Sequence, residues 1–456
     1  MTFDPGLILS ELDDLADNVS LVIALSGGLD SMVLLESLSS LQHAGRLCRP
    51  VSALHVNHGL NPDADSWLQF CQRQCQRRGI HFSGTQVTVE LQPGESLEEL
   101  ARRARYRVFE HQLDKDQCLV MGHHLDDQME TLLLRLNRGA GPGGLAGMPR
   151  SRELGSALLL RPLLPYRRHQ LEEFARDRGL EWVEDASNAN RQFDRNFWRH
   201  EVLPIIEQRF PGFRESWHKA MTLCAEADQL AEELALLDLA SMATDDPRIL
   251  QVQPLLRLDQ VRQRNLLRHW MLKTGFAPPG WQLMQRLVTE IIVSDKPGAR
   301  LDCARGSVQR FGDQLLLFSD TQEPTIGPEQ WEPDSQPLLA LAGNGNLRAV
   351  GAAAGHGGSP RQRLRYSGGG LKVSYTSDGG SIHLAGRPGK SLRKILQEST
   401  LPPWLRSRQP LLYADDKLVC IPGIGVVEQF AAGPGEPALL VSWEQPDLLH
   451  RQPQDD

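Results

Sequence analysis

The sequence predicts an α/β domain on a parallel sheet, then a helical middle domain and a small α+β C-terminal domain. Three observations lead there. Over the first 212 residues, short apolar runs alternate with helical patterns, as strands joined by helical crossovers do. From Phe213 to about Val288 the apolar spacing is helical almost throughout, centred on "KAMTLCAEADQLAEELALLDLASMA". Beyond residue 371, short apolar runs surround one helical stretch, "SLRKILQEST".

In chain order, the strand-like runs are "SLVIAL" (20–25), "VSALHV" (51–56), "TQVTVEL" (85–91), "CLVMGH" (118–123) and "ALLLRPLL" (157–164). Between them a helix begins at Ser31, and "DSWLQFCQRQCQRRG" ends on a glycine. "SLEELARRARYRVFEHQL" has apolar residues three and four apart. "DDQMETLLLRLNRG" and "RHQLEEFARDRG" again close on glycines suited to helix ends. Residues 289–320 mix short strands with turns. "EPTIGPEQWEPDSQP" (323–337) is a Pro-rich connector, and the Gly/Ala-rich 343–370 is either a flexible linker or the loops of a small β-rich module. The expected domains are 1–212, 213–320 (mostly helical) and 371–445, with 321–370 a linker or loop-rich segment.

Of 456 residues, 40% are apolar and 23% charged, which suits a soluble globular protein with several cores. No apolar stretch approaches the ~20 residues of a membrane span. The N-terminus carries acids where a signal peptide needs a basic start, so a cytoplasmic location is expected. Seven scattered cysteines without a C-x-x-C pair argue against a disulfide framework or a zinc site. A net charge of −8 speaks against coating nucleic acid by bulk electrostatics, yet permits local basic patches.

The chemistry begins at "SGGLDS", residues 26–31, where a buried strand passes into a helix. Glycines let the backbone approach a ligand with no Cβ in the way. The helix end that follows directs free N–H groups and positive charge to the same point, which is an anion site. Ser26 and Ser31 add hydroxyls. An aspartate in a phosphate cradle calls for a cation, so Asp30 implies Mg²⁺ between carboxylate and phosphate. No Walker-type lysine follows.

This string resembles the PP-loop signature of the N-type ATP pyrophosphatases, whose Rossmann-like domain cleaves ATP between its α- and β-phosphates. "HVNHGL" (55–60), "GHHLDDQMETLLLRLNRGAGPGGLAGM" (122–148), "RPLLPYRRHQL" (161–171) and "WVEDASNANRQFDRNFWRHEVLP" (182–204) follow in an order similar to the tRNA(Ile)-lysidine synthetase family. "GRPGKSLRKILQESTLPPWLRSRQPLL" (386–412) resembles that family's C-terminal domain. The resemblance implies that ATP adenylates the wobble cytidine of an isoleucine tRNA with a CAU anticodon. The ε-amine of free L-lysine then displaces AMP to give lysidine. A tRNA thiolase is the nearest rival but generally uses cysteines that are absent beside these motifs. A non-catalytic nucleotide-binding protein would not need the acidic "HLDDQMET" string. A second copy of the chain is a further candidate partner.

Residue by residue, Ser26, Gly27, Gly28, Leu29, Asp30 and Ser31 match the ATP-binding motif, with Asp30 near Mg²⁺. His124, Asp126 and Asp127 open a helix, where acids also complement the dipole. Asp127 and Glu130 share a face. Carboxylates there suit a lysine ammonium and its proton, which must leave before the amine attacks. Asp126, Asp127 and Glu130 all remain candidates for the base, and His124 for contact with the activated base or phosphate. Asn188, Asp194, Arg195, Asn196 and Arg199 form a polar cluster, in which Arg195 and Asn196 match a family motif. An arginine there suits charge developing on phosphate. His55 and His58 read as polar lining, without a catalytic role. Arg102, Arg103, Arg105 and Arg107 form one basic run, and Arg387, Lys390, Arg393 and Lys394 another, both suited to tRNA phosphates.

Overall fold

The computed structural model describes residues 3–88, 97–185, 191–242, 244–294, 296, 298–303, 306–319, 329–352, 360–375, 379–399, 401–433 and 436–446. The chain forms two compact units, Met1–Leu230 and Ala231–Asp456.

In the first unit β1 (Ser20–Ala24) leads into α1 (Leu29–His43), and β2 (Val51–Asn57) into α2 (Ala64–Arg77). Next come β3 (His81–Gln86), α3 (Leu97–Gln112), β4 (Gln117–Val120) and α4 (Leu125–Asn137). A hairpin of β5 (Ser151–Leu154) and β6 (Ala157–Leu160) precedes α5 (Arg168–Asp177). The sheet order is β3-β2-β1-β4-β6-β5, parallel except for the antiparallel edge strand β5. The chain builds outward from β1 to β3 and then returns to β4. This reversal leaves a crevice at the carboxyl ends of β1 and β4, the usual ligand position in such sheets.

Alternation along β1 explains the two-sided burial. Leu21 and Ile23 join a core with Met32, Val33, Leu34, Leu35 and Leu38 of α1. Val22 joins Leu54, Leu119 and Phe109 in another. The predicted third strand lies earlier than expected, ending at Gln86, and residues 89–91 fall outside those described. The predicted fifth strand is shorter, since Arg161 leaves the ladder, and gains a hairpin partner whose polar "SREL" concealed it.

After α5 the chain forms α6 (Asp194–Phe197), a π-helical turn (Trp198–Val202) and α7 (Leu203–Arg209), then the long α8 (Phe213–Ala240). The stretch to 320 is helical over much of its length, and apart from Ile249–Gln251 its strands fall within 289–320, where short strands were expected. A four-stranded sheet of β7 (Ile249–Gln251), β8 (Ala299–Cys303), β9 (Gly306–Phe311) and β10 (Gln314–Ser319) packs with α9 (Gln260–Lys273).

The stretch 321–370, expected to be a linker or loop-rich segment, is built partly of strands. It contains β11 (Glu329–Trp331), β12 (Leu338–Ala340), β13 (Asn346–Ala352) and β14 (Arg363–Leu364). β13 pairs over seven residues with β15 (Ala438–Glu444), and Leu347 and Ala349 face the core. Its small residues suggested a flexible tether, but backbone pairing with a distant strand needs no large side chains. Residues 353–359 lie outside those described. Among the described residues no helix is long and apolar enough to cross a membrane.

Candidate active site

The "SGGLDS" loop joins β1 to α1 at the crevice. Gly27 has φ +87°, a conformation costly for any residue with a Cβ, and an added Cβ would lie 3.1 Å from Cys71 Sγ. Ser31 Oγ accepts from Gly27 N (3.1 Å), donates to Gly28 O (2.9 Å) and lies 3.1 Å from Ser26 Oγ. Gly28 caps α1 with no side chain, so the first-turn amides of a fifteen-residue helix stay open to an anion. The Leu29 side chain is buried in the core and leaves only its backbone to the loop. His55 supports the root of the loop, its Nδ1 lying 2.8 Å from Leu25 O.

Asp30 faces the opening of α4. Its Oδ2 lies 3.7 Å from His124 Nε2, and its Oδ1 is buried without a hydrogen-bond partner. Burial raises its pKa, opposed chiefly by His124. The described residues contain no group of three or more metal-ligating side chains. One carboxylate with an unused oxygen beside a phosphate loop nevertheless fits Mg²⁺, which usually takes one or two carboxylates, water and substrate phosphates.

His124 is the N-cap of α4. Its Nδ1 accepts from Asp127 N (3.4 Å), while Asp127 Oδ2 accepts from His124 N (3.0 Å). The ring's Nε2 lies between Asp30 and Asp127, at 3.7 and 3.5 Å. Asp126 belongs to the scaffold. Its oxygens accept from Arg168 N and Arg214 Nε, both at 2.8 Å.

Glu130 is wholly buried, and both its oxygens are taken. Arg195 Nε reaches Oε2 at 2.6 Å and Arg199 Nε reaches Oε1 at 2.5 Å. The same guanidiniums reach Asp127 Oδ1 at 2.7 and 3.3 Å. Burial would raise the Asp127 pKa, but His124 and Arg195 hold it well below the carboxylate range. The structure therefore brings Asp30, His124, Asp127, Glu130, Arg195 and Arg199 together. Asn196 is buried beside them, Asp194 is exposed on α6, and Asn188 lies outside the described residues.

Sequence reasoning missed three residues here. A Cβ on Gly122 would lie 2.9 Å from the Asp30 carbonyl carbon and oxygen, so only glycine lets the end of β4 touch the first turn of α1. Its signal was a glycine directly after a strand. His123 has a buried Nδ1 without a partner, and burial lowers its pKa to about 3, so its ring is neutral. Arg168 lies close enough to Asp30 to favour its charged form.

The remaining candidates lie elsewhere. His58 is half-buried at the end of β2, and its pKa is lowered by burial and by Arg105. Arg102, Arg103 and Arg105 are half-buried on α3, and Arg107 is exposed. In the second unit Lys390 pairs with Glu398 on α10 (Leu392–Glu398) at 2.5 Å. Burial pushes the Cys71, Cys75, Cys118 and Cys420 thiols up to about 12, and none of these four forms a disulfide.

Comparison with known proteins agrees over the whole chain. The PP-loop domain family matches residues 8–206, the TilS substrate binding domain 250–316 and the TilS substrate C-terminal domain 371–443. The tRNA(Ile)-lysidine synthase of Methylococcus capsulatus is 37% identical over 92% of this chain and 95% of its own. That of Pectobacterium atrosepticum is 36% identical over 97% and 98%, and that of Coxiella burnetii 36% over 94% of each chain. With relatives this similar along nearly its full length, the chain belongs to the tRNA(Ile)-lysidine synthase family.

Proposed function

We propose that the protein joins free L-lysine to the wobble cytidine of the CAU-anticodon isoleucine tRNA, consuming ATP and releasing AMP and diphosphate. The observation that carries this reading is the grouping of Asp30, His124, Asp127 and Arg195 at the sheet's crevice beside an open helix end. Family membership supports it over a thiolase, and none of the buried, high-pKa cysteines suits sulfur transfer.

In the first half-reaction the cytidine carbonyl oxygen attacks the α-phosphate and diphosphate leaves. The loop amides and the Ser26 and Ser31 hydroxyls hold the polyphosphate, which exchanges their present internal bonds for bonds to phosphate. Asp30 would hold Mg²⁺, which neutralises phosphate charge when bound. Arg195 and Arg199, fixed by Glu130, direct positive charge at the crevice, where negative charge builds on the phosphate.

In the second half-reaction the lysine ammonium gives up a proton to water, the neutral amine attacks the activated carbon and AMP leaves. Asp127, kept ionised, supplies charge for the incoming ammonium rather than strong basicity. Glu130, with no free oxygen, holds the arginines instead of accepting the proton. The protein works in the cytoplasm, where ATP, lysine and tRNA meet.

The test combines the protein with ATP, Mg²⁺, lysine and this tRNA, followed by mass spectrometry of the nucleosides. A cytidine heavier by one lysine, dependent on ATP, is expected. Diphosphate release with an unchanged nucleoside would overturn the substrate assignment.

A further inference from the structure

Next to the site lies a group of arginines that the chemistry above does not use. Tyr106 of α3 has the Arg102 guanidinium carbon 5.0 Å and the Arg152 guanidinium carbon 5.2 Å from its ring centroid. Arg102 Nη2 donates to the Tyr106 hydroxyl at 3.4 Å, and buried Arg161 lies near it. Arg135 of α4 is close enough to Arg102 for the two charges to repel. Arg161 follows β6, and Arg152 pairs beside its end at Leu159. His123 follows β4, so Arg161, Arg152 and His123 lie around one end of the sheet.

The cluster lacks a counter-charge. Among the described residues, Arg102, Arg135, Arg152 and Arg161 make no ion pair with a carboxylate. Arg135 donates to Gly144 O and Gly147 O, and Arg161 to Pro149 O, all neutral carbonyls. Arg161 is only 3% exposed, yet its Nε has no partner. Burial first, and then repulsion from Arg102, lowers the pKa of both Arg135 and Arg161. In a protein of net charge −8, gathering four unpaired guanidiniums is costly unless an anion completes them.

We infer that this arginine cluster around Tyr106 binds the RNA backbone, taking a phosphodiester next to the nucleotide that enters the crevice. This rests on the proposed RNA substrate. The nucleotide polyphosphate has its own cradle, and the charges acting on Asp30 are those of His124, Asp127, Arg168 and Arg199. The cluster instead meets the site through His123, on which Arg161 and Arg102 act. A phosphodiester accepts planar, paired guanidinium donors well, and Tyr106 keeps those planes in place.

The test is tRNA binding by the full chain at a series of salt concentrations, for Arg102→Ala and the exposed Arg152→Glu. Melting temperatures confirm folding, and Arg152→Glu carries the test if Arg102→Ala is unstable. Each lost phosphate contact is expected to flatten the log–log salt dependence by about 0.7–0.9. A rise in salt of about fourfold then separates variant from wild type by about threefold. Arg102→Lys recovers part of the slope, and the KM for ATP is unchanged. Unchanged slopes in both variants would overturn the inference. A raised KM for ATP with an unchanged slope would overturn it in favour of nucleotide phosphate. Flattened slopes in a protein that leaves the CAU tRNA unmodified would support the phosphodiester site while refuting the proposed reaction.

Discussion

Arg195 Nε lies 2.6 Å from Glu130 Oε2, joining residues 65 positions apart into the floor of the crevice. Glu130 has no exposed surface, and Arg195 and Arg199 hold both its oxygens. Glu130→Ala removes the carboxylate that both arginines share and should cost about 3 kcal/mol in urea unfolding. Glu130→Gln, which keeps the shape, should lower kcat far more than it raises the KM for ATP. A Gln variant with unchanged kcat would refute the positioning role.

Asp30 behaves in the opposite way. One of its oxygens is orphaned, and burial disfavours its charge. Asp30→Ala should therefore leave thermal stability equal or slightly higher, while diphosphate release falls by about a thousandfold or more. Chelation of Mg²⁺ should stop the wild-type enzyme in the same way. A stable variant that still releases diphosphate would exclude Asp30 from the first half-reaction.

Gly122→Ala tests the contact between β4 and α1. The new methyl would meet Asp30 backbone at 2.9 Å, and backbone cannot rotate away. A loss of about 1–3 kcal/mol and a raised KM for ATP are expected. Wild-type values for both would show that the strand end shifts freely.

His123 gives the pH dependence. Its folded-state pKa is depressed to about 3, so between about pH 6.5 and 3 the unfolded chain binds a proton that the native state refuses. Native stability must fall as pH drops through that window. His123→Gln should flatten the fall by about 1 kcal/mol per pH unit. Parallel stability curves for the two proteins would remove His123 as the cause.

The legible parts were the local ones. "SGGLDS" after an apolar strand identified the loop because its chemistry is held within six neighbouring residues. The glycine-ended helical patterns placed α2, α4 and α5, since a helix closes its hydrogen bonds within itself. Strands need partners, and there the reading weakened. The segment around β13 read as either a flexible linker or the loops of a small β-rich module, and only β15, about ninety residues on, supplies the hydrogen bonds that make it a strand. Likewise β5 is polar on its own and becomes an edge strand only through β6.

The sequence by itself determined the loop, its aspartate and the sites where charged residues gather. It placed Asp127 and Glu130 on one helix face, because that follows from 3.6 residues per turn. Only the tertiary structure decided which carboxylate stays open and which is consumed. That depends on how α6 and the following π-helical turn meet α4, putting Arg195 and Arg199 against Glu130. Burial and long-range charge pairing set the chemical state of a carboxylate or histidine, and neither is fixed until the chain has packed.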